Sequence, residues 1–232
     1  MAEGIWNIAG DVVRSILNEP ELSEYGLLIT GHSLGAGVAC LLNMMCHVDS
    51  LVGEDRKVSC YAFAPPPTYS PYDSDATGDG KADPPALVKQ AIQNCVSYIH
   101  DNDAVPFLSI TSVRRLAHLL DTVDNKTEFI WFYDRWRIFH EYKGIPKDIF
   151  EDVADAKKRE ACQVDGECNM IIPARIIVWM KKHELSGKFD GYGCDPVLVA
   201  QNTVYVSPDM ISDHLAEMYE DALDALLEDY DK

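Results

Sequence analysis

The chain has 232 residues, 47% of them hydrophobic, which suits one domain with a sizeable core. Its net charge of −18, from 38 acidic and 20 basic side chains, argues against nucleic acid as a partner and gives no general attraction to anionic membranes. No apolar run is long enough to span a bilayer, and the first residues lack the pattern of a secretory signal. We therefore expect an intracellular protein, cytoplasmic or peripherally membrane-associated, whose contact with a membrane or lipid droplet comes from a local apolar patch.

The seven cysteines are odd in number and lie mostly inside apolar runs, which predicts reduced core residues. Cys162 and Cys168 flank a polar loop, so a bond between them stays open as an alternative. No Cys/His spacing resembles a zinc site, and no metal is expected.

An amphipathic helix is predicted over residues 3–18, because apolar side chains recur there about one helical turn apart. Residues 27–31 are typical of a buried strand, and a helix of small residues is predicted at 36–45. Between them stands Gly31-His32-Ser33-Leu34-Gly35. This is a Gly-x-Ser-x-Gly sequence in the strand–turn–helix context of a nucleophile elbow.

The spacing of the elbow has a chemical reason. A serine hydroxyl is a weak nucleophile, so Ser33 must stand clear of the sheet, where a base can take its proton. The sharp turn crowds the backbone, and we expect Gly31 and Gly35 to remove side chains that would clash. The N–H of Leu34, at the start of the following helix, is the predicted first donor of an oxyanion hole.

Residues 58–64 predict a second buried strand, and the strand–helix–strand order predicts a right-handed parallel βαβ unit. The polar loop at 68–84 resembles the first half of a calcium-binding loop. Pro84 stands where that loop needs a bidentate Glu, so a solvated surface loop is favoured over a calcium site.

A short helix at 85–93 leads to a third predicted strand at 96–99, and acidic residues follow it directly. Carboxylates just past the C-terminal end of a parallel strand lie at the edge where open α/β sheets place their sites. Asp101 and Asp103 therefore compete for the acid of a catalytic triad. Asp103 is favoured because Pro106 stiffens the chain just after it.

Residues 108–160 are predicted to be helical, with aromatic side chains at helical spacing over 129–139. The favoured interpretation is a helix packed on the sheet. The alternative is a cap whose aromatic face lines an acyl groove or touches lipid.

Two further strands are predicted at 171–180 and 203–206, with a glycine-rich polar loop between them. A C-terminal helix follows, with Ser207 as its cap and Pro208 in its first turn. An α/β-hydrolase places nucleophile, acid and base in that order along the chain. Of the seven histidines only His214 follows the last predicted strand, so His214 is the predicted base.

These segments together resemble the class 3, or fungal-type, lipase family, and most of all its sn-1-specific diacylglycerol lipases. The resemblance covers roughly residues 3–227 and rests on the elbow and on residues 62–66, 103–106, 173–175 and 207–214. It implies an α/β-hydrolase fold with a mostly parallel central sheet, as a single domain over 1–232 with a helical insertion at about 108–160.

For the site, the resemblance implies Ser33, Asp103 and His214 as the triad, acylglycerol esters as substrates, and no metal or organic cofactor. Family members carry further strands before the helix that leads to the elbow strand, and one of them ends in the loop that gives the second oxyanion N–H. The expectation is thus a chain that is incomplete at its N-terminus, without those strands and that donor, or else one that works differently.

The sequence predicts a serine-triad lipase of lipid metabolism, with diacylglycerol as its expected substrate. Two alternatives stay open. One is a soluble carboxylesterase or thioesterase for short acyl groups. The other is a catalytically weak, lipase-like protein that acts as a lipid-binding or interaction module.

Overall fold

The computed structural model describes residues 1–53, 56–70, 85–127, 170–183, 185–200 and 207–230. The chain divides into two compact units. One unit joins Met1–Ser109 with Asn169–Lys232, and the other is Ile110–Cys168. The organisation as one domain with an insertion at about 108–160 stays a prediction.

A five-stranded sheet forms the centre of the first unit, and its strands lie side by side in chain order. The first four strands are parallel and the fifth is antiparallel to its neighbour, which confirms the predicted α/β class with a mostly parallel sheet. The strands are β1 Leu27–His32, β2 Val58–Phe63, β3 Cys95–His100, β4 Ile176–Lys182 and β5 Phe189–Cys194.

Helices connect and flank these strands, as the alternating pattern of the sequence predicts. The second helix follows the elbow and packs against β1 and β2, with small residues on its buried face. In the second unit the described residues form one helix, α4. The helices are α1 Ala2–Leu17, α2 Leu34–Val48, α3 Ala86–Gln93, α4 Ile110–Thr127, α5 Pro196–Ala200 and α6 Ala216–Tyr230.

Two predicted boundaries are wrong. β4 begins at Ile176 rather than at 171, because Ile171 instead makes an isolated antiparallel bridge to Tyr69 before Pro173 interrupts the extended backbone. The C-terminal helix begins at Ala216, not at Ser207. The Ser207 hydroxyl accepts a bond from the Asp209 N–H within a local turn and caps no helix.

The stretch interpreted as a glycine-rich loop contains a strand, β5. Glycine is depleted in strands, so its presence argued for a loop. A Cβ at Gly193 would lie 2.9 Å from Cδ1 of Ile176 on the neighbouring strand, so a larger residue there would require this terminal methyl group to shift.

Several predictions fall outside the described residues. They are the predicted strand at 203–206, most of the loop at 68–84, the aromatic residues at 129–139, and the cysteines at 162 and 168. Within the described part of the chain, no helix combines the length and apolar character needed to cross a bilayer.

Arg56 holds the connection that leads from α1 into β1. Its Nη1 donates to the carbonyl oxygens of Leu22, Ser23 and Tyr25, at 2.8, 3.1 and 2.7 Å. Its Nη2 donates to the carbonyl oxygen of Leu17, the last residue of α1, at 2.7 Å. One guanidinium therefore bonds four carbonyls of this connection, of which that of Leu22 also accepts a bond from the N–H of Tyr25 at 3.1 Å.

We expect Arg56→Ala to lower the free energy of unfolding by about 2–3 kcal/mol, because bonds from a charged donor to several carbonyls are lost and water replaces them only in part. Urea denaturation measures this as a lower midpoint with an unchanged slope. Arg14→Ala is the matched control. It removes an exposed pair with Asp11, which contributes less than about 1 kcal/mol. Equal losses in the two variants would contradict the assignment.

Candidate active site

The elbow lies between the end of β1 and the start of α2, as predicted. Ser33 has φ 58° and ψ −128°, a backbone conformation that residues with a side chain rarely adopt. Its N–H donates to the carbonyl oxygen of Phe63 on β2 at 2.9 Å, which ties the strained residue to the sheet.

The two elbow glycines are not equivalent. A Cβ at Gly31 would overlap the carbonyl of Gly35 and lie 2.9 Å from the nitrogen of Ala36, so only glycine fits there. A Cβ at Gly35 would meet nothing within 4 Å. The expectation that both glycines prevent a clash is therefore right for Gly31 and wrong for Gly35.

Ser33, His214 and Asp103 come from three distant parts of the chain and meet at the C-terminal edge of the sheet. Oγ of Ser33 lies 2.7 Å from Nε2 of His214. Nδ1 of His214 lies 3.0 and 3.1 Å from the two carboxylate oxygens of Asp103. A carboxylate only accepts, so Nδ1 carries the proton and the lone pair of Nε2 faces the serine hydroxyl.

Asp103 is completely buried, and its carboxylate has two further donors. The N–H of Val105 donates to Oδ1 at 2.9 Å, and the phenol of Tyr219 donates to Oδ2 at 2.6 Å. Val105 begins the 3-10 turn that contains Pro106, the residue expected to stiffen this loop. The carboxylate is thus held in one orientation by its own loop, by α6 and by His214.

Tyr219 is a site residue that the sequence analysis missed. Its oxygen also accepts a bond from the N–H of His100 at 3.0 Å, so the phenol links the end of β3 to Asp103. Burial and the adjacent negative charge of Asp103 raise the pKa of Tyr219 well above its usual value, which keeps the phenol a donor. No local pattern could have identified it, because Asp103 and Tyr219 are 116 residues apart.

His32 packs beside the predicted base. Its ring centroid lies 4.8 Å from that of His214, and it forms a T-shaped pair with the ring of Tyr219 at a centroid distance of 5.6 Å. Burial, and to a lesser extent the neighbouring His214, lowers the pKa of His32. A neutral His32 ring places no competing positive charge next to His214.

Asp101, the competing candidate for the acid, is bound elsewhere. Its carboxylate lies 3.2 Å from Nζ of Lys181, and its carbonyl oxygen accepts a bond from Nε1 of Trp179 at 2.8 Å. The geometry therefore brings Asp103 and not Asp101 to His214.

Leu34 is the first residue of α2, so its N–H is one of the helix-start donors with no acceptor inside the helix. Further along the first turn, the N–H groups of Ala36 and Gly37 donate to the carbonyl oxygen of Ser33, at 2.9 and 3.2 Å. The role of Leu34 as an oxyanion donor stays a prediction.

The described residues of this site do not form a metal-ligand cluster. The one such cluster among the described residues is built from three cysteines, Cys40, Cys60 and Cys95, in the core behind α2.

Comparison with known proteins finds lipases. Residues 1–113 match the family described as Lipase (class 3). Diacylglycerol lipase-alpha of Rattus norvegicus is 24% identical over 230 residues, covering 90% of this chain and 20% of the relative. Its Homo sapiens counterpart is 23% identical over 229 residues, with the same shares. Diacylglycerol lipase-beta of Mus musculus is 32% identical over 121 residues, covering 49% of this chain and 15% of the relative.

No solved structure matches this chain. The chain spans about a fifth of the length of the alpha-type relatives. The family match contains the elbow and Asp103 and ends before His214. Together with the α/β-hydrolase sheet and the diacylglycerol lipase relatives, it confirms the resemblance seen in the sequence. The nucleophile elbow thus lies within the segment, residues 1–113, that is similar to the class 3 lipase family.

Proposed function

We propose that this chain is a serine hydrolase that cleaves the carboxylic ester bonds of acylglycerols, with diacylglycerol as the preferred substrate class. The observation that carries the proposal is the continuous hydrogen-bonded line from Ser33 through His214 to a fully buried Asp103. The similarity to diacylglycerol lipases supports a lipid ester rather than another acyl compound.

In the proposed reaction, Nε2 of His214 takes the hydroxyl proton as Oγ of Ser33 attacks the ester carbonyl. The carbonyl oxygen gains negative charge and accepts a bond from the N–H of Leu34, at the positive end of α2. His214 then passes its proton to the departing glyceride oxygen, and the acyl group stays on Ser33.

A water molecule completes the cycle. His214 takes a proton from the water, the hydroxide attacks the acyl carbon, and Oγ of Ser33 leaves with the proton as a fatty acid is released. Throughout, Asp103 holds Nδ1–H in place and stabilises the imidazolium that forms in each half-reaction. The Tyr219 and Val105 bonds hold Asp103 itself, which reduces the reorganisation needed when charge develops.

Chain length of the substrate separates a lipase from a short-chain esterase. We expect hydrolysis of emulsified long-chain diacylglycerol to exceed that of a soluble butyrate ester at equal ester concentration. The released fatty acid is measured by titration. A preference for the soluble ester would replace the lipase proposal by the esterase one, and no turnover of either would favour a binding module.

We expect a fluorophosphonate probe to label Ser33, and Ser33→Ala to abolish both labelling and ester turnover, the latter on the order of 10⁶-fold. Mass spectrometry of the labelled peptide identifies the site. Ser23→Ala, in the exposed loop before β1, is the control and should behave as the unmodified chain. Labelling of another serine in the Ser33→Ala variant would overturn the assignment.

The two aspartates are distinguished by a matched pair of variants. Asp103→Asn should lower kcat by about 10⁴-fold, because the amide no longer holds the productive tautomer of His214. Asp101→Asn should change kcat by less than about threefold. Its amide keeps an acceptor for Lys181 and tolerates the positive φ of 30° at this position. The reverse ranking would make Asp101 the acid.

Tyr219→Phe keeps the ring and removes only the hydroxyl. Asp103 loses one donor and the His100 N–H loses its acceptor, so we expect kcat to fall about tenfold with KM nearly unchanged. Initial rates over a range of substrate concentrations separate the two parameters. An unchanged kcat would show that the Tyr219 hydroxyl does not support the proposed triad.

The same variant should also change how the stability of the chain depends on pH, which can be measured without substrate. The raised pKa means that the folded chain keeps the Tyr219 proton, whereas the unfolded chain releases it near pH 10. The contribution of the Tyr219 phenol to the free energy of unfolding is therefore fully present below pH 10 and is lost as the pH rises above 10. Denaturation between pH 9 and 11 should therefore show a shallower alkaline loss of stability in Tyr219→Phe than in the unmodified chain.

A further inference from the structure

Three cysteines that are far apart in sequence meet in the core. Cys40 lies on α2, and Cys60 and Cys95 are register partners on the neighbouring strands β2 and β3. All three are fully buried, and their sulfur atoms lie within 4.8 Å of one another. The sulfur atoms of Cys40 and Cys95 lie 3.9 Å apart.

We propose that Cys40, Cys60 and Cys95 form a binding site for a soft monovalent cation, Cu(I), in trigonal coordination. A cation equidistant from three sulfurs 3.9 Å apart lies about 2.3 Å from each, which is a normal metal–thiolate bond length. If the sulfurs were 4.8 Å apart, the cation would lie about 2.8 Å from each of them. Each sulfur would then have to move about half an ångström towards the cation to reach a normal bond length.

The number of ligands selects the metal. Structural zinc sites are almost always tetrahedral and need a fourth ligand. Within the described part of the chain no fourth Cys, His, Asp or Glu joins the cluster. Cu(I) prefers soft sulfur ligands, and three of them complete its coordination.

Binding is coupled to the release of protons, because the metal ligand is the thiolate and not the thiol. When Cu(I) enters, the three S–H bonds of Cys40, Cys60 and Cys95 break, their protons go to solvent, and three copper–sulfur bonds form without a change of oxidation state.

A buried cysteine is by itself only a small hydrophobic residue. The chain contains such a case for comparison. Cys46 lies on the same helix and is buried, and burial alone raises its pKa to about 11. It does not belong to the three-sulfur cluster. What distinguishes Cys40 is the convergence of two further sulfurs from two strands.

The test uses the full chain, reduced and without oxygen, with Cys162, Cys168 and Cys194 replaced by Ser to remove cysteines outside the cluster. Cu(I) is supplied as its acetonitrile complex in competition with a coloured Cu(I) chelator. We expect one Cu(I) per chain, a near-ultraviolet thiolate–copper absorption, and affinity that falls by up to about a thousandfold per pH unit on acidification, because three protons compete with the metal. At free Cu(I) about a hundred times Kd, the melting temperature should rise by about 5–10 °C.

Two single variants, Cys60→Ala and Cys40→Ala, each remove one ligand, so the test survives if one of them fails to fold. We expect at least a hundredfold loss of affinity in a folded variant, whereas Cys46→Ala should bind as the parent does. The proposal is overturned by the absence of binding in the parent, by undiminished binding in the Cys60 and Cys40 variants, or by Zn²⁺ binding as tightly as Cu(I).

Discussion

The buried carboxylate of Asp103 is the group on which the candidate site depends. Removing a carboxylate from water is costly unless donors replace the water, and here three donors do so. One comes from its own loop at Val105, one from α6 at Tyr219 and one from His214. Because two of these donors lie near the C-terminus of the chain, satisfying the carboxylate also fastens the C-terminal segment to the sheet.

The elbow adds a second constraint that the fold must satisfy. Ser33 is held in an unfavourable backbone conformation, which costs of order 1–3 kcal/mol. The bond from its N–H to Phe63 and the close approach allowed by Gly31 hold this conformation. A serine in this position projects beyond β1 at the first turn of α2, where His214 can reach it.

Helix α2 links this chemistry to the core. It begins directly after Ser33, and its small buried residues let it pack closely on β1 and β2. Cys40 lies two turns further along, where it meets Cys60 and Cys95. A ligand bound by these sulfurs would brace the elbow helix against two strands. It would act on the stability of the helix rather than on the reacting atoms.

The local sequence pattern was sufficient to predict features that lie within a short stretch of chain. The strand, turn and helix around Ser33 could be predicted because the motif needs only the residues beside it. The choice of Asp103 and His214 came from chain order and family resemblance, and their hydrogen bonds agree with that choice, although their catalytic roles stay a proposal.

Other features were decided only by packing between distant segments. The glycine-containing strand β5 exists because its backbone fits against β4, which outweighs the low strand propensity of glycine. Tyr219 joins Asp103, and three cysteines converge, through contacts that span tens of residues to more than a hundred. Residue periodicity reports which face of one element is buried. It does not report which side chain of another element lies opposite, and that was set by how the helices and the sheet pack together.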